Sequence, residues 1–382
     1  MWAPLHGFCD GIAAPDAAEY ATHVARLQTA MAEHDLSAVV VEPSPTMTWL
    51  SGVRWGRSER PFLLVVPQQG EPWFVAPAFE EGTARQRLGD ATLHTWQEHD
   101  SPFALLAKHL PRGSGRVGVD GEMRTFIVAG LRAAMKRPVV DGRAAIDAVR
   151  MSKSDAELSR LRRANEATKA ALALVANVVE PGMPQSEVAA LARAAQQAAG
   201  LADVWVLALA GEAAAYPHGT EHDRVLGSNE LLLVDTGGAL HGYRSDITRT
   251  WAVGTPTDAA ARAWETVAAA QRAGLAVMKP GVTAGAVDAA ARAVIESGGY
   301  GGGYDALTHR LGHGIGLQVH EPPYLVPHDA RALTPGMTMS NEPGIYKRGE
   351  FGVRIEDIVA ITPSGHEVFG PLVGSLDAPF GG

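Results

Sequence analysis

Cysteine is almost absent from this chain of 382 residues, which contains only Cys9. A single thiol excludes a disulfide framework and a cysteine-rich zinc module. Basic residues are also scarce relative to acidic ones, with 33 Lys and Arg against 42 Asp and Glu and a formal net charge of −9. This balance disfavours a nucleic-acid-binding surface and a polybasic membrane anchor.

Long apolar runs are missing as well. A membrane-spanning helix needs about 18 or more consecutive apolar residues, and the chain contains no such run. Its first residues also lack the basic segment and apolar stretch of a signal peptide. We therefore expect a cytoplasmic protein without a membrane segment. The chain is 46% hydrophobic and 20% charged, which suits a globular protein of two domains at about 150 residues per domain.

The first part of the chain alternates between helix and strand signals. Short β-branched runs bounded by proline are strand candidates, at residues 38–41, 62–66 and 73–75. A stretch rich in Ala, Glu, Arg and Leu at residues 17–33 favours helix. Further on, Ser154 and Glu157 form a capping-box pattern that predicts the start of a new helix. We therefore expect an α/β N-terminal domain over residues 1–152 and a second domain over residues 153–382.

The second domain contains an internal repeat. Residues 181–200 align with residues 280–299 at a constant offset of 99, and Gly182 matches Gly281. Each copy follows a long helical pattern. A repeat of this kind indicates two structurally similar halves.

Both halves end in two β-branched runs that carry one carboxylate each. The carboxylates are Asp235 and Asp246 in the first half and Glu342 and Glu356 in the second, with His313 upstream in a glycine-rich segment. A carboxylate that closes an apolar run is costly to bury unless it is paired or binds a cation. The alternatives are therefore salt-bridged strand ends or a metal site. Two Asp, two Glu and one His suit two divalent cations, which can activate a shared water.

Three segments resemble the pita-bread metallopeptidases of the creatinase and prolidase type. They are VDTGGALHGYRSDITRTWAVG, GHGIGLQVHEPP, and NEPGIY followed by GVRIED. The resemblance is strong over residues 154–365 and extends to a creatinase/prolidase-type N-terminal domain. It implies an α+β pita-bread catalytic domain with two pseudo-symmetric halves and the site between them, assembled as a homodimer.

The resemblance also implies a set of metal ligands. Asp235 would bind one metal ion through both oxygens, and Asp246 and Glu356 would bridge the two ions. His313 and Glu342 would bind the second ion. Glu342 would in addition take and pass on the proton of the attacking water.

Further residues are implied to act around the metals. His218 and His320 would flank the substrate and stabilise the tetrahedral intermediate. Thr248 and Arg354 would hold the two bridging carboxylates in place. Tyr346 matches a family tyrosine near the site, and we count Tyr346 and Arg354 among the substrate-binding candidates.

The residues that would recognise the substrate depart from the family pattern. A prolidase holds the free carboxylate of a C-terminal proline, which suits arginine, and its usual pattern after the second histidine is H-E-x-P-R. This chain has HEPPY at residues 320–324, so Tyr324 stands in the place of the arginine. Arg331 in the same loop is one candidate to replace it. Arg57 and Arg60 in the N-terminal domain are others and would limit the substrate to dipeptides; alternatively, they lie in an ordinary surface loop.

We therefore predict a dinuclear metallopeptidase that cleaves Xaa-Pro bonds in short proline-containing peptides, namely an Xaa-Pro dipeptidase. Manganese is the first choice of metal, with cobalt or zinc as alternatives. Three rivals stay open at this point. They are an aminopeptidase P that accepts longer Xaa-Pro peptides, a non-peptide amide hydrolase or lyase on the same scaffold, and a binding protein without catalysis.

Overall fold

The computed structural model describes residues 1–110 and 115–380. These residues divide into two compact units, one spanning Ala14–Arg150 and the other combining Met1–Ala13 with the chain from Met151 onward. The first segment of the chain thus belongs to the second unit, which the sequence pattern does not indicate.

The unit of residues 14–150 is an α/β layer structure. Its strands are β1 (Leu36–Val41), β2 (Leu63–Pro67), β3 (Trp73–Pro77), β4 (Thr92–Trp96), β5 (Arg116–Val119) and β6 (Val139–Asp141). Its helices are α1 (Ala17–Glu33), α2 (Pro45–Ser51), α3 (Glu81–Leu88), α4 (Pro102–His109), α5 (Thr125–Ala134) and α6 (Arg143–Met151), and a short 3₁₀ turn spans Ala78–Glu80. The sheet order is β4-β3-β2-β1-β5-β6. The three strand candidates and the helix at residues 17–33 are confirmed.

The second unit carries the repeat. Its helices are α7 (Asp155–Ala176), α8 (Gln185–Ala198), α9 (Asp258–Val277) and α10 (Ala284–Ser297), with 3₁₀ turns at Ala3–Leu5 and Gly211–Ala215. The capping box that starts α7 is confirmed, since Ser154 and the N3 residue Glu157 bond reciprocally. Across residues 1–110 and 115–380, no helix has the length and hydropathy needed to cross a bilayer.

Each half of this unit places its helices on a sheet. The first half has β7 (Ala202–Ala210), β8 (Glu230–Leu240), β9 (Tyr243–Arg244) and β10 (Ile247–Val253). The second half has β11 (Gly312–Gly314), β12 (Glu321–Leu325), β13 (Thr338–Asn341), β14 (Gly344–Lys347), β15 (Phe351–Arg354), β16 (Asp357–Thr362) and β17 (Gly365–Val368). The sheet orders are β10-β8-β7 with β9 on β8, and β12-β11-β13-β16-β17 with β14-β15 as a separate hairpin. Apolar side chains of α7 and α8 pack in one core with the first sheet, and those of α9 and α10 pack in another with the second.

The internal repeat corresponds to the turns that precede α8 and α10. The Gly182 N–H donates to the Leu226 carbonyl at 2.7 Å, and the Gly281 N–H donates to the Leu333 carbonyl at 2.9 Å. Both glycines have positive φ values, 97° and 85°, which residues with a Cβ rarely adopt. The repeated glycines are therefore explained by the same backbone turn in each half.

Candidate active site

A cavity of about 1020 Å³ lies in the second unit and is bordered by both of its halves. Nine residues that the sequence predicted for the site line this cavity: His218, Asp235, Asp246, His313, His320, Glu342, Tyr346, Arg354 and Glu356. The structure therefore brings together all five predicted ligands with His218, His320, Tyr346 and Arg354.

The first half places its two aspartates on neighbouring strands. Asp235 lies within β8 and is directly opposite Thr248 of β10. Asp246 comes immediately before β10, and its backbone N–H donates to the side-chain oxygen of Asn165 on α7 at 3.2 Å. Strand pairing thus brings the two carboxylates close together, and the helix fixes the backbone of the second.

The second half places its glutamates just outside a strand ladder. Asn341, the last residue of β13, pairs with Asp357, the first residue of β16. Glu342 directly follows Asn341 and Glu356 directly precedes Asp357, so both glutamates lie at the same end of the β13–β16 ladder. His313 is in β11, the strand beside β13.

The ligand atoms of these residues form overlapping groups. Oxygen atoms of Asp235, Asp246 and Glu356 lie within 4.8 Å of one another, and so do ligand atoms of His313, Glu342 and Glu356. The His313 Nε2 atom is 3.2 Å from Glu342 Oε1 and 3.6 Å from Asp246 Oδ2. Glu356 belongs to both groups, as expected of a ligand that can bridge two ions.

Hydrogen bonds between the halves hold two of the carboxylates. Thr248 Oγ1 donates to Glu356 Oε2 at 2.7 Å, which agrees with its expected role. Arg354 was expected to hold a bridging carboxylate; its Nη2 donates directly to Asp235 Oδ2 at 2.5 Å, and it is linked to Glu356 through the Thr248 hydroxyl, to which its Nε donates. Strand register explains the contact with Asp235. Asp235 and Thr248 are cross-strand neighbours, so the guanidinium group that donates to Thr248 through Nε also reaches Asp235.

The donor set fits divalent cations. Among the described residues, Asp235 Oδ1 and Glu356 Oε1 are buried and have no hydrogen-bond partner. Burial and the charges of neighbouring carboxylates raise the pKa of Asp246 and of Glu356 well above their ordinary values. Buried carboxylates crowded in this way need positive charge to be ionised together, and oxygen-rich ligation with one imidazole is suited to such metals as manganese, cobalt or zinc.

Glu342 and His320 differ in their charge states. Burial raises the pKa of Glu342, but the hydrogen bond and charge of His313 outweigh it and bring the pKa to about 2. Burial, followed by the charge of His313, lowers the pKa of His320 to about 4. At neutral pH, Glu342 is therefore an ionised proton acceptor and His320 a neutral hydrogen-bonding group.

A hydrogen-bond chain on the cavity wall includes His309. Arg354 Nη1 donates to the Tyr346 hydroxyl at 2.9 Å, and this hydroxyl lies 2.8 Å from His309 Nε2. Since the Arg310 carbonyl can only accept, His309 Nδ1–H donates to it at 2.7 Å. Burial lowers the pKa of His309, and Nε2 of the neutral ring then accepts from the tyrosine O–H. Burial raises the pKa of Tyr346 to about 12, so this hydroxyl keeps its proton.

The arginines proposed for substrate recognition have other partners. Arg331 is not among the residues lining the cavity, and its Nη1 contacts the Met151 sulfur at 2.8 Å. In the unit of residues 14–150, Arg57 Nε donates to the Pro43 carbonyl at 2.8 Å and Arg60 Nε donates to Glu98 at 2.7 Å. A substrate role for Arg57 and Arg60 stays a prediction.

Two further arginines line the cavity and were missed by sequence reasoning, Arg310 and Arg348. Neither belongs to a motif in which spacing indicates a function. Arg310 is three residues before His313, and Arg348 follows β14 at the turn of its hairpin. Only the folded structure shows that both lie at the cavity.

The fold and the carboxylate–histidine centre define a metal-dependent hydrolase. Comparison with known families agrees: residues 159–363 match the model of metallopeptidase family M24, and residues 23–152 match the creatinase/prolidase N-terminal domain. The chain belongs to metallopeptidase family M24. The predicted pita-bread fold with a creatinase/prolidase-type N-terminal domain is thereby confirmed, as is the prediction of a metallopeptidase.

Relatives place the chain in the dipeptidase and prolidase group of this family. It is 36% identical to a probable dipeptidase PepE of Mycobacterium tuberculosis over 92% of this chain and 94% of that protein. The crystal structure of dipeptidase PepE from Mycobacterium ulcerans matches with a TM-score of 0.89 at 34% identity, covering 94% of this chain and 97% of that one. A prolidase from Thermococcus sibiricus matches with a TM-score of 0.85 at 27% identity, with the same coverage of 94% and 97%.

Proposed function

We propose that this metallopeptidase is an Xaa-Pro dipeptidase that acts with two divalent metal ions. The observation that carries the proposal is the set of Asp235, Asp246, His313, Glu342 and Glu356 around one cavity, with two buried carboxylate oxygens that lack partners among the described residues. The similarity to a protein named prolidase supports proline-containing dipeptides as substrates.

Those five residues would hold the ions, with manganese as the first choice and cobalt or zinc as alternatives. When bound, two such ions polarise the scissile carbonyl and make a water molecule nucleophilic near neutral pH. Asp246 and Glu356 would hold both ions and Asp235 one of them, and Arg354 would orient Asp235, since its Nη2 donates to Asp235 Oδ2 at 2.5 Å.

The remaining steps belong to side chains of the cavity. Glu342 accepts the proton of the attacking water and delivers it to the proline nitrogen as the peptide bond breaks. His320, neutral and packed edge-on against His313 at 4.2 Å between ring centroids, donates a hydrogen bond to the carbonyl oxygen as negative charge develops on it. His218 lies on the cavity wall and positions the substrate, together with the Tyr346 hydroxyl.

Substrate profiling of the purified, manganese-loaded chain tests this function. We expect hydrolysis of Ala-Pro, with Ala-Pro-Ala cleaved at least about 100-fold more slowly because it lacks a free carboxylate at the proline. Equal rates on both peptides would identify an aminopeptidase P. Absence of Xaa-Pro hydrolysis with manganese, cobalt and zinc would refute the proposal and favour a non-peptide amide hydrolase, a lyase or a binding protein.

The proposal includes a homodimer in the cytoplasm and a contribution of Arg57 or Arg60 to the length limit. Light scattering on the purified chain tests the dimer. Arg57→Ala and Arg60→Ala are compared on Ala-Pro and Ala-Pro-Ala, with Arg85→Ala as the control because Arg85 is an exposed helical residue close to Glu81. If neither arginine variant changes the length preference, this part of the proposal is wrong.

A further inference from the structure

The free carboxylate of a dipeptide needs a cationic partner in the cavity, if the chain is the dipeptidase proposed above. Tyr324 occupies the position where the family pattern has an arginine, so this chain must supply the cation from elsewhere. Arginine is the residue suited to a carboxylate because its planar guanidinium group can donate two parallel hydrogen bonds.

Arg310 lies against the residue that replaced the family arginine. Its guanidinium carbon is 4.5 Å from the ring centroid of Tyr324, and Arg310 lines the cavity. Tyr324 in β12 is directly opposite His313 in β11. The Arg310 guanidinium is therefore placed over the side chain at position 324, one strand away from a predicted metal ligand.

The guanidinium group of Arg310 is available for a ligand. Within the described part of the chain it has no hydrogen-bond or ion-pair partner, whereas Arg354 donates to Asp235, Thr248, Tyr346 and the Pro217 carbonyl. Its cation–π contact with the Tyr324 ring uses none of the guanidinium N–H groups in a hydrogen bond, so these groups can donate to a ligand.

Arg310 also lies near the catalytic end of the cavity. Tyr324, which the Arg310 guanidinium contacts, is directly opposite His313, and the ring centroids of His313 and His320 are 4.2 Å apart. A carboxylate bound by Arg310 would therefore be near His320, the side chain proposed to contact the scissile carbonyl.

The other candidate arginines are less well placed. Arg331 contacts the Met151 sulfur and does not line the cavity. Arg348 lines it, but its guanidinium lies over Tyr216, 5.2 Å from the ring centroid, and not against position 324. Arg310 alone combines a cavity position with contact to Tyr324.

We propose that Arg310, held over the ring of Tyr324, binds the C-terminal carboxylate of the substrate and thereby contributes to the preference for dipeptides. The positive charge that the family pattern has on residue 324 is supplied here by a guanidinium group that rests on residue 324. Tyr324 is then a positioning residue for Arg310.

The test compares two substrates that differ only at the carboxylate, Ala-Pro and its amide Ala-Pro-NH₂. In the wild-type chain we expect a higher kcat/KM for the free acid. The Arg310→Gln variant should lose about 10- to 100-fold of this acid-over-amide ratio, as expected when hydrogen bonds to a charged group are removed. Arg310→Lys should recover part of it, since the charge returns without the bidentate geometry.

Two further variants make the result specific. Arg331→Gln serves as the matched control and should leave the ratio unchanged. Adding Tyr324→Arg to the Arg310→Gln variant restores a guanidinium at the family position and should recover the acid preference. If Arg310 has only a structural role, Arg310→Gln lowers hydrolysis of the acid and the amide equally, and that result would overturn the inference. An acid-over-amide ratio that changes with Arg348→Gln and not with Arg310→Gln would also overturn it.

This experiment separates the inference from the proposed function. If the wild-type chain cleaves Ala-Pro and Arg310→Gln keeps the full acid preference, the inference is wrong and the dipeptidase proposal stands. If another dipeptide turns out to be the substrate, the proposed proline specificity is wrong, and the ratio is measured on that dipeptide and its amide. A wild-type chain with no acid preference overturns the inference directly.

Discussion

The two halves of the catalytic unit share a backbone plan and differ in their ligand chemistry. The first half uses aspartates, with Asp235 inside the β8–β10 ladder opposite Thr248. The second half uses glutamates, and both lie one residue beyond the Asn341–Asp357 pair that ends the β13–β16 ladder. Asp246 also lies one residue outside its ladder, which begins at Ile247, so the position relative to the ladder does not explain the choice between aspartate and glutamate. The repeat therefore preserves the turns and helices, while the type of acidic residue differs between the halves.

The halves also depend on each other for the geometry of the site. Arg354 of the second half donates to Asp235 of the first, and Thr248 of the first half donates to Glu356 of the second. Each half thus positions a carboxylate of the other. Neither half can therefore form the carboxylate–histidine centre alone.

The largest effect is expected when one of the two carboxylates proposed to bridge the metal ions is removed. Asp246→Ala and Glu356→Ala should each abolish metal binding and turnover. This loss is well above the roughly 100-fold loss of metal affinity or activity that is typical when a residue that only contacts a ligand is replaced. Metal content per chain and kcat on Ala-Pro measure this. Asp223→Ala is the control, because Asp223 is an exposed aspartate of the first half that bonds Ser186. Full activity in either ligand variant would contradict the dinuclear assignment.

A buried ion cluster joins the halves behind the metal centre and gives the next largest effect. Asp357 of the second half accepts from Arg249 at 2.7 Å and lies 2.5 Å from Lys169 Nζ, both in the first half. Asp357→Ala would leave buried cations without their carboxylate and should lower the free energy of unfolding by about 3–5 kcal/mol. Urea denaturation measures it. Glu350→Ala, which breaks an exposed pair with Lys347, should cost below about 1 kcal/mol, and equal losses would refute the distinction.

The reciprocal contact from Thr248 can be removed without touching a ligand. Thr248→Val deletes the hydroxyl that donates to Glu356 and should weaken metal binding by about 10- to 100-fold. Titration calorimetry with manganese measures this affinity. Thr250→Val is the matched control on the same strand, since the Thr250 hydroxyl donates to the Arg354 backbone carbonyl at 2.8 Å. Equal affinity losses in both variants would show that strand stability, and not the contact with Glu356, is responsible.

The smallest effect is expected at a surface pair between the halves. Arg162 on α7 donates to Glu367 on β17 at 2.5 and 2.8 Å, and this hydrogen bond holds the pKa of Glu367 below its usual 4.5. An acid with a lowered pKa in the folded state stabilises the fold above its unfolded pKa and loses that contribution as the pH falls. Glu367→Gln should therefore cost up to about 1 kcal/mol at pH 7. The cost should shrink as the pH falls below 4.5 and be smaller at pH 3 than at pH 7. A cost that is equal at both pH values would contradict this explanation.

Much of the site was predictable because its signals are local. Each of the four carboxylates stands beside an apolar strand, where its desolvation cost is visible from the neighbouring residues. The start of α7 was predictable for the same reason, since a capping box needs only Ser154 and Glu157. The roles of the individual ligands stay proposals, whereas their convergence on one cavity is a property of the structure.

Long-range partners were not predictable in this way. Arg354 was assigned to a bridging carboxylate, but it bonds Asp235, which is 119 residues away in the chain. Arg331 was offered as the substrate arginine because it is near the HEPPY segment in sequence, yet Arg310 is the arginine that lies over Tyr324.

The sequence by itself determined the fold family, the two-part repeat and the identity of the five candidate ligands. Strand alternation, helix capping and the cost of burying charge act over a few neighbouring residues, so their patterns are written along the chain. The tertiary structure decided which arginine meets which carboxylate and which arginine is left free at the cavity. Those pairings depend on strand register and on the packing of the two halves, which bring together side chains that no local pattern connects.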